Sequence, residues 1–127
     1  MATSLSAFFA QNAKKVEVHK YPASSRFVGE DGKPIEWKYG CITGKENAEL
    51  NKRFGDDRTG YTAALVAKCT VFPDLNNAEL QDSYGVKSAE DLVQAMLISG
   101  EYSTYASKVF EANKFGVTPE KIEEAKN

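Results

Sequence analysis

Histidine is almost missing from this 127-residue sequence. His19 is the single copy, and neither cysteine nor a second histidine stands at ligand spacing from it, which argues against a histidine-built metal site. There are two cysteines, Cys41 and Cys69. Each lies within an apolar pattern, so they read as buried free thiols of a reducing compartment in preference to a disulfide. No apolar run approaches the roughly 18 residues of a membrane span. The opening MATSLSAFFAQNAKK has no positive leading region and too short an apolar block for a signal peptide. The expected setting is therefore a cytoplasm. Glycine-rich phosphate loops, a nucleophile elbow and a Cys–His pairing are all lacking. Glu30-Asp31-Gly32-Lys33 imitates a calcium loop only superficially, since the alternating oxygen ligands and the distal glutamate do not follow. An excess of positive charge is lacking too: 16 Lys and Arg stand against 18 Asp and Glu. That excludes a basic nucleic-acid footprint.

What is present belongs to a globular chain, 42% hydrophobic and 27% charged, long enough to bury a core without staples. A single domain over 1–127 is expected. Residues 1–42 would form a short helix and a small sheet, 43–117 a helical part, and 118–127 a frayed tail. Residues 1–60 carry ten basic and eight acidic side chains, 61–127 six and ten, so the second half is a mildly acidic, solvated set of faces.

In chain order, Thr3 is placed to cap a short helix over Ser4 to Gln11 with Leu5, Phe8 and Phe9 on one side. A helix so short is marginal alone and needs a surface to dock on. Phe8 and Phe9 are then either a lid on the core or an exposed docking site. Lys14 to Tyr21 reads as a strand, and Arg26-Phe27-Val28 starts a second one. Asp31-Gly32 suits a two-residue hairpin turn in which both central residues take positive φ. Pro34 to Ile42 alternates most clearly: Ile35, Trp37, Tyr39 and Cys41 face one way, Glu36, Lys38 and Gly40 the other. Thr43-Gly-Lys-Glu46 is a capping box that opens a helix ending near Phe54-Gly55, with a thin apolar face of Leu50 and Phe54. Gly55 to Gly60 reads as a loop.

From Tyr61 the apolar positions Tyr61, Leu65, Cys69 and Phe72 fall at i, i+4, i+8 and i+11, predicting a helix that Pro73 ends by about Thr70 to Phe72. Leu75 to Tyr84 reads as a short helix with Gly85 in the left-handed position beyond it. Ser88 then caps a helix carrying Leu92, Val93, Met96 and Leu97, with Asp91 three residues on as its reciprocal partner in a capping box. Gly100 breaks or kinks it, and Tyr102, Tyr105, Ala106, Val109 and Phe110 make the best amphipathic stripe of the chain. Phe115-Gly116 ends that helix, and Thr118-Pro119 begins a last one. The fold class is α+β: a small antiparallel sheet, with a hairpin near the N-terminus, packed with a C-terminal set of four to five helices.

Glu79 with Asp82, and Glu90 with Asp91, are the carboxylate pairs that acid–base chemistry would need. Acidic residues in a first helical turn are more simply explained by the helix dipole. Tyr84 before Gly85 reads as a core or capping aromatic rather than a catalytic phenol. The residues point to a non-enzymatic domain with no catalytic, metal or cofactor site.

The segment CTVFPDLNNAELQDSYGVKSAEDLVQAML resembles the signature of the XkdN-like phage tail assembly chaperones. FFAQNAKKVEV is similar to that family's opening, RFVGEDGKPIEWKYGCITGKENAELNKR to its hairpin and Thr-capped helix, and EYSTYASKVFEANKF to its closing helix. Gly40-Cys41 departs from the pattern, where a larger or charged residue is expected before the cysteine position. The resemblance implies a phage or prophage product of the bacterial cytoplasm that binds the tape measure protein and keeps it soluble during tail morphogenesis. It implies displacement by the tail-tube protein, absence from the mature virion, and a frameshift-extended form of the chain itself, for which Ala125-Lys126-Asn127 permits a slippery codon run. Self-association as a homo-oligomer is compatible with it; nucleic acid and membrane are not implied.

For the partner surface, Met96, Leu97, Tyr102 and Tyr105 at the edges of the last helices, together with Phe8 and Phe9, are the candidates, the alternative for each being the core. Pro73, Leu75, Asn76, Leu80, Tyr84 and Gly85 of the signature are expected to be architectural, fixing how two helices meet. Two other readings stand beside this one: a tail or head–tail connector subunit retained in the virion, and an enzyme or host-directed regulator with a carboxylate site at Glu79 and Asp82.

Overall fold

A computed structural model describes residues 4–115. Its elements are three short strands, β1 (His19–Tyr21), β2 (Trp37–Tyr39) and β3 (Thr70–Phe72), and five α-helices: α1 (Gly44–Phe54), α2 (Arg58–Cys69), α3 (Ala78–Ser83), α4 (Ala89–Met96) and α5 (Ser99–Ala112). The strands form one antiparallel sheet in the order β1-β2-β3. The α+β architecture expected from the sequence is the one observed.

The helix α2 is central. Tyr61, Ala63 to Ala67 and Cys69 are all buried, which is the burial pattern of a helix surrounded by protein. Its alanines let α1, α4 and α5 come close, and all three pack on it. The sheet lies against α5 through an aromatic cluster. Tyr105 meets Trp37 edge-on at 5.2 Å between ring centroids and Tyr39 at 5.5 Å, the geometry ring quadrupoles favour. Leu65, Leu92, Val93 and Val109 fill the space between.

Several local signals are realised as read. Thr43 and Glu46 form a reciprocal capping box on α1, and Gly85 takes the left-handed φ of 69° after α3. Ser88 accepts the Asp91 N–H at 3.1 Å to open α4, but Asp91 does not return the bond, so the second box is half formed. The alternation along β2 buries Trp37 and Tyr39 and exposes Lys38. The stripe of α5 is also inside, with Tyr105, Ala106 and Val109 buried.

Other expectations are corrected. Residues 4–13 form two 3₁₀ turns, Leu5–Phe8 and Ala10–Asn12, in which every residue is exposed. They make an arm rather than a docked α-helix, closed on itself by the Asn12 side chain on the Ser6 carbonyl at 2.7 Å. The strand expected from Lys14 starts only at His19. The second strand shrinks to a single Val28–Pro34 bridge, flanked by the Ile35 N–H on the Phe27 carbonyl at 2.8 Å and the Gly29 N–H on the Lys33 carbonyl at 2.9 Å; Pro34 is tolerated because its nitrogen falls at a position that makes no ladder bond. The turn before it is a three-residue loop closed by a left-handed glycine. Gly32 alone takes positive φ there, its N–H bonds to the Gly29 carbonyl, and the Gly29 N–H bonds to the Lys33 carbonyl.

Asp57 caps α2 by accepting the Gly60 N–H at 2.9 Å, so Arg58 to Gly60, expected as loop, is the helix's first turn. At its other end α2 stops at Cys69 and passes without a connecting residue into β3. The α4–α5 break falls at Leu97-Ile98 rather than at Gly100, and Glu101 secures the new helix by accepting the Ile98 N–H at 3.0 Å. The helix expected after Thr118 lies outside the described residues.

Candidate partner-binding surface

β3 is short, and its register shifts by one residue. Lys38 pairs with Phe72 and Tyr39 with Thr70, leaving Val71 as the extra residue of a bulge. Thr70 is thereby turned to the core. Its hydroxyl donates to the Val66 carbonyl at 2.7 Å, so the 2.8 Å bond to Tyr105 must be donated by the tyrosine. Burial pushes the Tyr105 phenol well above its ordinary pKa. Val71 and Phe72 are left outside, Phe72 at 46% exposure with the Lys38 ammonium over its ring. The Phe72-Pro73 peptide is cis.

Beside Phe72 the surface opens into an apolar groove of about 170 Å³. It is lined by Phe27, Ile35, Trp37, Phe72, Pro73, Leu80 of α3 and Met96. Six of these side chains come from four separate stretches of chain before α4, so no local window of sequence contains the site. Met96 reaches it only by its edge, because it is 4% exposed. Arg26 donates to the Met96 carbonyl and holds the end of α4 to the segment leading into the hairpin.

The signature residues build this neighbourhood. Leu75 is buried, and its carbonyl accepts from the Gln81 side chain at 2.9 Å. The Asn76 N–H bonds to the Asp74 carboxylate at 3.0 Å, and Asn77 caps α3 through the Leu80 N–H at 2.9 Å. Tyr84 is half-buried against the core. Pro73 and Leu80 also face the groove, a surface position that the sequence reading had not given them.

The six candidate contact residues do not come together. Phe8 and Phe9 stand out on the arm, Phe8 at 73% exposure, with Leu5 beside them. Met96, Leu97 and Tyr105 are buried and offer almost no surface in this conformation. Tyr102 is half-buried beside Arg58, Thr59 and Thr62, and its hydroxyl has no partner among the described residues.

A larger cleft of about 430 Å³ lies at the other end of the sheet, between His19, Tyr39 and Cys41 on one side and Lys108, Glu111 and Lys114 on the other. His19 stacks on Tyr39 at 5.4 Å, and the Cys41 thiol donates to the Ala112 carbonyl at 3.1 Å. Among the described residues no group of three or more His, Cys, Asp or Glu is placed to hold a metal ion. Cys69 is free and buried, and desolvation raises its thiol pKa to about 11, which leaves it unreactive.

Asn113 lies within EYSTYASKVFEANKF, the segment similar to the family's closing helix, with no role of its own assigned there. In the structure its side chain accepts the Ile42 N–H at 2.9 Å and donates to the Val109 carbonyl at 2.8 Å and to the Cys69 sulfur at 3.4 Å. One amide thus ties the strand segment after β2, the end of α2 and the end of α5. The spacing Val109 to Asn113 is one helical turn, and that was the available signal.

The sequence profile of the phage XkdN-like tail assembly chaperone proteins matches residues 5–126. The chain belongs to this family. It is similar to XkdN of the phage-like element PBSX of Bacillus subtilis (strain 168), 29% identical over 138 residues that span 97% of this chain and 93% of XkdN. It is similar also to YqbN of the same strain, 26% identical over 135 residues, 95% of this chain and 91% of YqbN. The crystal structure of YqbN superposes on this fold with a TM-score of 0.84, covering 91% of this chain and 99% of that one at 26% identity. Within the family frame, the arm and the groove are exposed apolar features open to a protein partner, and Val16, Val18 and Ile98 are exposed apolar side chains outside both. No helix among those residues is long and apolar enough to cross a membrane.

Proposed function

We propose that this chain is a non-enzymatic tail assembly chaperone that binds the tape measure protein of its phage or prophage and keeps it soluble until tail-tube subunits assemble around it. The observation that carries this reading is the family match over residues 5–126. The surface chemistry supports it. An unassembled tape measure is a long helix-rich chain with exposed apolar stripes, and covering them needs exposed apolar side chains on a small partner. Phe8 and Phe9 are the contacts we assign first; Tyr102, on a separate part of the surface, is the third candidate that keeps some exposure. Met96, Leu97 and Tyr105 take part only if α4 and α5 part from the core. Pro73, Leu75, Asn76, Leu80, Tyr84 and Gly85 hold the α2–α3 junction in shape.

The setting is the bacterial cytoplasm during tail morphogenesis, with the chaperone absent from the finished virion and with an extended product of the same gene as a further partner. The test is co-expression with the longest open reading frame of the tail gene cluster, followed by fractionation and pull-down. The long protein is expected in the soluble fraction, co-purifying with several copies of this chain. Purified particles, by mass spectrometry, are expected to lack it. If the long protein stays insoluble and unbound even with the extended form supplied, the reading fails. A stoichiometric band in the particle assigns the chain to the tail structure instead.

A further inference from the structure

Both cysteines of the chain come to one place. The Cys41 thiol donates to the Ala112 carbonyl at 3.1 Å, and the Cys69 sulfur accepts from the side chain of the next residue, Asn113, at 3.4 Å. The two sulfurs thus lie under the same end of α5. Their backbones meet as well. The Gly40 N–H bonds to the Cys69 carbonyl at 2.8 Å, and the Ile42 N–H bonds to the Asn113 side chain at 2.9 Å. Cys41 is therefore bracketed by one residue that holds Cys69 and another that holds the amide on its sulfur. Strand residues paired by hydrogen bonds stand about 5.5 Å apart, and a disulfide spans ~4.4–6.8 Å between Cα atoms. Cys41, one step along from Gly40, stays within bridging reach. The two thiols differ in access. Half-buried Cys41 lines the cleft with Glu17, His19, Lys108, Glu111 and Lys114, whereas Cys69 is buried.

We infer that Cys41 is a site of exchange with low-molecular-weight disulfides, and that Cys69 resolves the adduct into an internal Cys41–Cys69 bridge. In the first step Cys41 gives its proton to water and attacks one sulfur of the small disulfide; that S–S bond breaks, and one small thiolate leaves and takes up a proton. In the second, Cys69 gives up its proton and attacks the Cys41 sulfur, and the other small thiolate leaves in the same way. Two protein thiols are oxidised, and one small disulfide is reduced to two thiols. Desolvation raises the Cys69 pKa to about 11, although the Asn113 N–H favours its thiolate. The second step is therefore slow. Burial keeps Cys69 from reagents in solvent, but not from a sulfur already held at its side. The bridge fastens the segment after β2 to the end of α2 and encloses α1 in one covalent loop. The inference concerns the protein alone and stands whether or not the tape measure is its client.

Equilibration of the full chain, without air, in mixtures of glutathione disulfide and glutathione tests it. Samples quenched in acid are analysed by mass spectrometry, intact and after digestion, and the titration is repeated in urea. The folded protein is expected to pass to a species lighter by two hydrogens, whose digest joins the peptides of Cys41 and Cys69. It should do so at a several-fold lower proportion of disulfide than the unfolded chain, because the fold holds the sulfurs together. Cys69→Ala, checked by circular dichroism, is expected to stop at the glutathione adduct on Cys41; should it not fold, the wild-type titration decides alone. The inference is overturned by a wild type that stays reduced, stops at the Cys41 adduct or links two copies through Cys41. A bridge that forms no more readily in the folded chain than in urea overturns it too.

Discussion

Replacing Asn113 with alanine removes one side chain and three contacts in separate parts of the fold. The Ile42 N–H loses its acceptor at 2.9 Å, the Val109 carbonyl its donor at 2.8 Å, and the Cys69 sulfur a donor at 3.4 Å. An ordinary intramolecular hydrogen bond contributes ~0.5–1.5 kcal/mol net, and an orphaned buried donor costs more. Ile42 is only half-buried, so water offsets part of that penalty, and the bond to sulfur is weak. The three together come to about 2 kcal/mol. For a chain of 127 residues each kcal/mol moves Tm by roughly 4 °C, so the expected fall is about 8 °C. A thermal melt followed by circular dichroism measures it, and amide exchange at Ile42 localises it. In the variant the Ile42 amide should exchange much faster than in wild type, beyond what the global loss of stability explains. An Asn113→Asp variant keeps the oxygen acceptor and loses both donors, so Ile42 should remain protected while stability still falls. A Tm unchanged within 1 °C of wild type, or an Ile42 amide equally protected in the alanine variant, would show that the amide is not the clip described here.

Three further outcomes rest on the same packing. Tyr105→Phe removes only the hydroxyl donated to Thr70 and should cost about 0.5–1.5 kcal/mol, whereas Tyr105→Ala opens the aromatic cluster and should cost about 3–5 kcal/mol; equal losses in urea titrations would refute the division. A thiol reagent applied to the folded protein near neutral pH should label half-buried Cys41 and spare Cys69 until denaturant is added, because Cys69 is buried with its pKa raised to about 11; equal labelling rates would sink this. The Thr43 N–H holds the Glu46 carboxyl below its ordinary pKa, and the Ile98 N–H does the same for Glu101, assisted by Ser24 and Arg26. A carboxyl with a depressed folded pKa contributes stability that is complete above the unfolded value and is lost as pH falls through the folded one. The urea midpoint should therefore drop below pH 4.5 more steeply in wild type than in Glu46→Gln/Glu101→Gln, and parallel curves would contradict it.

What could be read in advance was what local chemistry decides. The capping box at Thr43, the Ser88 half of the second box, the glycine stop at Gly85 and the alternation through Trp37 and Tyr39 each lie within a few residues, and each forms as read. β3 was hidden because Phe72 continues the helical spacing of Tyr61, Leu65 and Cys69. Three residues with a bulge in the middle show no alternation to set against that spacing. The arm went the other way: Leu5, Phe8 and Phe9 have the spacing of a docked helix, but no surface of the described chain receives them. The same non-local decision separates Met96, Leu97 and Tyr105, which the core takes, from Phe8 and Phe9, which it leaves outside. The family signature was legible as a string, while the groove that Pro73 and Leu80 help to line needs Phe27, Ile35 and Trp37 from far upstream.

The junction of α2 and β3 has a mechanical meaning. Most binding surfaces hang on loops that give when loaded; here the residue carrying the groove's exposed ring sits three positions beyond Cys69, with no slack between strand and helix. α2 is the element on which α1, α4 and α5 all rest. A load placed on Phe72 is therefore transmitted along the backbone to the axle of the whole body. Occupancy of the groove should register in amide exchange at the alanines of α2 as well as at the rim, so that filling one small slot tightens the entire wheel.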